Sequence, residues 1–188
     1  MKKIVLIALA SLMAFSAGAQ KLGRVNFNEL VMLMPEMDAA RETMNASQKE
    51  AEETYAAMVE EYQGKLNQYQ QKSASWTSAI KESKEKELYD IQNRLQEFQQ
   101  TISQELQQQQ SQLMAPINEK ANNAVKEIAK AKGLAVLFDA SQAIYFDDAL
   151  VEDITADARK ALGIPADRTI EALQAELAAQ AQQQQATK

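Results

Sequence analysis

Asp139, Asp147 and Asp148 come closest, in this 188-residue chain, to a set of groups that could do chemistry. Two carboxylates held on rigid elements can divide the work of general acid and general base, which is the minimum for a hydrolase. Their contexts point elsewhere. Asp139 opens the turn Asp139-Ala140-Ser141-Gln142, and Asp147 or Asp148 stands where a helix would begin. In such places the carboxylate accepts hydrogen bonds from backbone N–H groups in the turn or the cap. The chain contains no histidine and no cysteine to assist them. That excludes a thiol nucleophile, a Ser-His dyad and a structural zinc site of the usual kind. Five glycines leave little material for phosphate-cradling loops, and neither G-x-G-x-x-G nor G-x-x-x-x-G-K-[ST] occurs. The expectation is a protein that is not an enzyme, with no catalytic residue, no cofactor and no metal.

Twenty basic side chains stand against 26 acidic ones, a formal net charge of −6. A chain of this sign is a poor nucleic-acid binder. At the N-terminus, Lys2 and Lys3 precede an apolar run over 4–15, and Ala17-Gly18-Ala19 supplies a small-x-small cleavage pattern. Residues 1–19 therefore read as an export signal cleaved before Gln20. The apolar run falls short of the roughly 20 residues that span a bilayer as helix. Removing Lys2 and Lys3 leaves 18 basic side chains against 26 acidic, a net of −8. An exported chain without cysteine must draw its stability from packing or self-association.

From 38 to 132 the chain is rich in Gln, Glu, Lys and Ala and holds one Pro and one Gly, which predicts long helix. Ala51, Tyr55, Met58, Tyr62, Leu66 and Tyr69 step by three or four, and so do Leu88, Ile91, Leu95, Phe98 and Ile102. Both runs read as helix seams, and the second is a clean heptad. Between them, 73–78 is a small, polar, weakly helical patch that predicts the reversal of an antiparallel hairpin. Pro116 lacks an N–H and is expected to kink the return helix. Between Lys65 and Lys86 there are five lysines and two glutamates, a local excess of +3 around the tip.

The ends predict a small β-body over 20–37 and 133–163. Residues 21–27 alternate as a strand and lead into a short helix around 28–34. Gly133 is a left-handed cap candidate. Residues 134–138 read as a second strand and 143–146 as a third, and a helix capped by Asp147 or Asp148 is expected to run to about Leu162. Residues 164–188 form a C-terminal extension that is Gln-rich and partly disordered, with a short helix from about 169 to 179. The fold class is α+β, mainly α: a long helical hairpin on a small β-body. Three short strands bury little and leave open edges, so the body is expected to self-associate.

This order of parts resembles the Skp (OmpH-like) family of periplasmic chaperones. Three segments carry the resemblance: Gly23-Arg24-Val25-Asn26-Phe27, then 132–140 ending in Phe138-Asp139-Ala140, then Val151-Glu152-Asp153-Ile154-Thr155-Ala156-Asp157 with its D-I-T-A-D motif. The resemblance implies a periplasmic homotrimer whose helical arms enclose unfolded outer-membrane proteins and keep them from aggregating without ATP. The best-known members are basic, whereas this chain is acidic outside the tip, so any contact of the arm tips with anionic lipid is expected to be weak. A structural coiled-coil scaffold of the cell envelope is the alternative.

Strand periodicity assigns Val25, Phe27, Val136, Phe138, Ile144 and Phe146 to the trimerisation surface. Position near the tip assigns Met58, Tyr62, Tyr69, Trp76 and Ile80 to client binding, assisted by Lys65, Lys72, Lys81 and Lys84.

Overall fold

The computed structural model describes residues 20–186, so the export signal expected over 1–19 lies outside the described residues. Element order is β1 (Lys21–Val25), α1 (Phe27–Leu33), α2 (Pro35–Lys72), α3 (Ser78–Lys132), β2 (Leu134–Asp139), β3 (Val151–Asp153), α4 (Thr155–Ala161) and α5 (Ile170–Ala186). Short 3-10 turns occupy Ser73–Ser75 and Ala140–Gln142. The fold is α+β and mainly α, as composition and periodicity predict. The chain divides into two compact units, one of residues up to Met34 and from Glu119 onward, the other of Pro35–Asn118.

The second unit is a helical hairpin. α2 has 38 residues, about 57 Å at 1.5 Å per residue. After the 3-10 turn Trp76 is extended, and Thr77 starts α3. The Thr77 hydroxyl accepts from the Ile80 N–H at 3.4 Å and its carbonyl from the Lys81 N–H at 3.0 Å. The small polar patch thus supplies both the break and the next cap. α3 stays helical through Pro116, whose ring leaves the Gln112 carbonyl without its helical donor.

In the first unit, β1 is the central strand of a three-stranded sheet of order β2-β1-β3, parallel throughout. Parallel neighbours need long crossovers, and the entire hairpin is the crossover between β1 and β2. A Cβ at Gly23 would meet the Leu134 side chain, which packs over this strand position and would have to shift to admit one. Asn26 turns the chain from strand to helix. Its side-chain oxygen accepts from the Glu29 N–H at 3.2 Å, its amide donates to the Glu29 carboxylate at 3.0 Å, and its own N–H donates to the Thr155 hydroxyl at 3.1 Å. α1 then buries Leu30, Val31 and Leu33, and Ile154, Ala158, Leu162, Ile164 and Leu173 complete the core with Ala121 and Val125 from the end of α3.

Three expectations are corrected here. Residues 143–146 form no strand; the third strand is Val151–Asp153, and the closing helix starts at Thr155 rather than at Asp147 or Asp148. Asp147 closes a single turn instead, its side chain accepting from the Ala149 N–H at 2.9 Å and its carbonyl from Leu150 and Val151. That turn delivers Val151 to the free side of β1 opposite Leu22. With β2 on the other side, β1 has no edge left for 143–146. Phe27, expected to end a strand, is the first residue of α1, because the Asn26 cap has already diverted the backbone.

Gly133 and Gly163 stop α3 and α4 in the left-handed region, at φ +67° and +69°. Nothing lies near a Cβ at Gly133, so Gly133→Ala should cost only the backbone penalty of about 1 kcal/mol. An unchanged urea midpoint would show that the turn relaxes to another conformation.

Candidate functional site

One face of the sheet is packed and the other is bare. Gly23 and Val25 point inward and are buried. The outward row across three strands is Val136, Leu22 and Val151, followed by Phe138, Arg24 and Asp153. Val136 and Phe138 remain 42% and 43% exposed. The segment after β2 adds to this surface. Phe146 lies 6.3 Å from Phe138, ring centre to ring centre, and carries the Arg24 guanidinium 5.5 Å from its own ring centre. Arg24 also pairs with Asp148 and Asp153, each at 3.0 Å, so it holds the segment against the sheet. Ile144 projects fully into solvent, with Tyr145 and Leu150 also exposed. Of the six residues assigned to self-association, Val136, Phe138 and Ile144 are exposed, Phe27 and Phe146 are half-buried, and Val25 belongs to the core. Sequence reasoning missed Arg24, because its partners Phe146, Asp148 and Asp153 lie far along the chain, and it also passed over the exposed Tyr145 and Leu150.

The hairpin presents a different surface. Its seam is only half-buried: between Ala51 and Leu113, Ile91 alone is buried. Polar bonds cross from arm to arm in its place. Gln99 donates to the Tyr55 hydroxyl at 2.8 Å, Gln92 donates to the Tyr62 hydroxyl at 2.6 Å, and Tyr69 donates to the Glu85 carboxylate. Each rung is seven residues from the next on both arms. Trp76 follows at the next heptad position, edge-on to Tyr69 at 5.8 Å. Lys65 pairs with Glu87 and Arg94 with Glu61, both at 3.0 Å. The tyrosine spacing was visible as part of the seam, but the Gln and Glu partners carry no apolar signal.

Seven of the nine residues assigned to client contact are therefore half-buried. Met58, Tyr62, Tyr69 and Trp76 lie along the seam, with Lys65, Lys81 and Lys84 beside it. Only Ile80, 44% exposed, and Lys72 stand clear. Lys65 and Lys84 both reach Glu87, whereas Lys72 and Lys81 make no ion pair among the described residues. Tyr89, not singled out from sequence, is 61% exposed.

The sequence model of the family described as Outer membrane protein (OmpH-like) matches residues 21–162. The chain belongs to the OmpH-like family. It is also similar to the chaperone protein Skp of Pectobacterium atrosepticum, 25% identical over 157 residues that cover 84% of this chain and 92% of that protein. The OmpH-like match takes in the bare sheet face, the hairpin and α4, and it stops where the C-terminal extension begins. That extension is nevertheless fastened to the OmpH-like body. Arg159 donates to the Glu29 carboxylate at 2.6 Å, to the Pro165 carbonyl at 3.0 Å and to the Arg168 carbonyl, while Leu173 of α5 is buried.

Asp153, Glu87 and Lys132 are each shifted from their ordinary titration range by charged or hydrogen-bonded partners. Burial pushes the Asp153 carboxyl up, but hydrogen bonds from the Thr155 side chain and N–H, with the Arg24 guanidinium, outweigh it and hold it below the usual range. Glu87 is also held low, by Lys84 first and then Lys65. Lys132 is held high by Asp157 and then Glu152, at 2.8 and 2.7 Å. The stability from both depressed carboxyls is present at neutral pH and lost as pH falls through and below the ordinary carboxylate range, near 4. The Lys132 contribution is complete below the lysine range and lost only above it. Melting curves of Asp153→Asn should therefore show a lower midpoint at pH 7 and a flatter decline between pH 5 and 3. Curves parallel to those of the unsubstituted chain would sink this account.

Proposed function

We propose that this protein is an ATP-independent periplasmic holdase, a chaperone that keeps unfolded outer-membrane proteins from aggregating between the helical arms of a homotrimer. The observation that carries the proposal is the hairpin seam, in which two long helices meet through half-buried apolar groups and tyrosine hydroxyl bonds rather than a continuous core. Such a seam opens at low cost and places aromatic and aliphatic groups within reach of a client chain. A holdase needs only diffuse, reversible contacts of this kind, and shielding a client stops its strand edges from pairing with those of another. The family membership and the relation to a chaperone protein support the same choice.

Self-association follows from the bare sheet face. Parallel sheets are almost always covered on both faces, and here one face carries Val136 and Phe138 in the open. A small body gains most from covering it with further copies of itself. Client contact is assigned to Met58, Tyr62, Tyr69, Trp76 and Ile80, helped by Lys65, Lys72, Lys81 and Lys84; lipid contact at the tips is weak.

The scaffold alternative draws on the same ladder, since Tyr55, Tyr62 and Tyr69 have their hydroxyls satisfied across the arms. Exposed Ile80 and Tyr89 weigh against it. Light scattering of the chain from Gln20, alone and with a urea-unfolded outer-membrane barrel, separates the two. A trimer that takes up one barrel and stays in solution is the expected result. A stable oligomer that lets the barrel precipitate replaces the holdase with the scaffold.

A further inference from the structure

A cleft opens in the hairpin between the Ser47–Gln109 and Tyr55–Gln99 hydrogen bonds. Elsewhere the tyrosine rungs recur every seven residues on both arms. Across the cleft the next bond is Ser47–Gln109, eight residues from Tyr55 on α2 and ten from Gln99 on α3, and no tyrosine rung fills the interval. Small Ser47, Ala51 and Thr54 then face Phe98, Ile102 and Leu106, and a volume of about 390 Å³ is left between the arms. That lies at the small end of ordinary ligand pockets and accommodates an aromatic or branched aliphatic side chain.

The rim is anionic. Glu50 and Glu105 line the cleft, both are exposed, and neither has an ion pair or hydrogen bond among the described residues. Residues 42–61 of α2 and 97–112 of α3 together carry eight carboxylates and one lysine. The tip, by contrast, has its excess of +3 between Lys65 and Lys86. An apolar floor beneath unpaired carboxylates attracts a cation-flanked apolar group and repels an acidic one.

We infer that this cleft docks a cationic, apolar segment of an unfolded polypeptide, one aromatic or aliphatic side chain entering between the arms while flanking Lys or Arg residues lie against Glu50 and Glu105. The inference rests on the holdase proposal and gives it a chemical preference. The middle of the arm takes basic-apolar segments in preference to acidic ones.

Two short labelled peptides test it, one with Phe between lysines and one with Phe between glutamates. Each is titrated into the whole assembled protein at low ionic strength and followed by fluorescence polarisation. The lysine peptide should bind at least about tenfold more tightly, about 1.4 kcal/mol. Ala51→Leu should remove about that tenfold by filling the floor, and Glu50→Lys with Glu105→Lys should reverse the preference. Thr54→Leu, from the same wall, serves if Ala51→Leu loses helicity. Equal binding of the two peptides, or unchanged binding by both filled variants, overturns the inference. Holding of an unfolded barrel is measured alongside. A protein that holds the barrel but shows no peptide preference loses the cleft and keeps the holdase function. One that binds the lysine peptide at the cleft but lets the barrel precipitate keeps the site and loses the function.

Discussion

Ile154→Ala should destabilise the β-body by about 2–5 kcal/mol, the range for truncating a buried aliphatic side chain to alanine. Ile154 is wholly buried, and its N–H donates to the Arg24 carbonyl at 3.0 Å where β3 passes into α4. It is the isoleucine of the D-I-T-A-D motif, so the motif is first of all a packing signal. Only Leu30, Leu33 and Met34 match Ile154 as large, fully buried side chains among the described residues, so its loss removes a sizeable share of the core. The probe must be chosen with care. Trp76, the single tryptophan, lies in the hairpin and would miss the event, and far-ultraviolet dichroism is dominated by the long helices. Hydrogen exchange resolved by segment is suited to the task. Residues 21–34 and 150–164 should lose protection while 85–105 keep theirs. Equal loss in both segments would mean that body and hairpin unfold as one, and an unchanged body would remove Ile154 from the core.

If the proposed trimer forms through the bare sheet face, Val136→Asp, alone or with Phe138→Asp, should reduce the mass in solution to that of a monomer, a threefold change. In the isolated chain both side chains are open to water, so a carboxylate there should shift stability by no more than about 0.5 kcal/mol. In an assembly that covers the sheet face, the same carboxylate is buried without a partner, at a cost of several kcal/mol per interface. Each 1.4 kcal/mol weakens association about tenfold, so the trimer should be lost at micromolar concentration. Tyr89→Asp, at an exposed position of the hairpin, is the control and should leave the mass unchanged. If Val136→Asp remains trimeric, the bare face is not the contact between copies. If it falls apart and unfolds as well, the body depends on assembly for its stability, and the urea midpoint should then rise with protein concentration.

The hairpin was legible because its signals are local. Apolar residues at steps of three and four name the buried stripe of each helix, and the scarcity of Gly and Pro leaves nothing to interrupt it. Where legibility failed, the deciding partner was distant or polar. Residues 143–146, Ala-Ile-Tyr-Phe, are as rich in strand-forming side chains as any strand of that length, yet Val151 took the position beside Leu22. The tyrosines were correctly placed on the seam, but as apolar groups. Their hydroxyls meet Gln92, Gln99 and Glu85, residues that hydrophobic periodicity passes over. Val25 and Val136 looked alike as strand residues, and only the sheet separates them, one facing the core and the other the bare side.

By itself, the sequence determined the class of the protein, the two arms, their reversal, the glycine stops and the absence of the residue types most enzymes need. These follow from composition and from interactions within a few positions along the chain, which helix geometry makes periodic and readable. The tertiary structure alone decided the parallel order β2-β1-β3, the exposed face it leaves, the Arg159 fastening of the extension and the cleft between the arms. Each depends on contacts between residues far apart in the chain, and no local period records which distant partner a backbone edge or a side chain will meet.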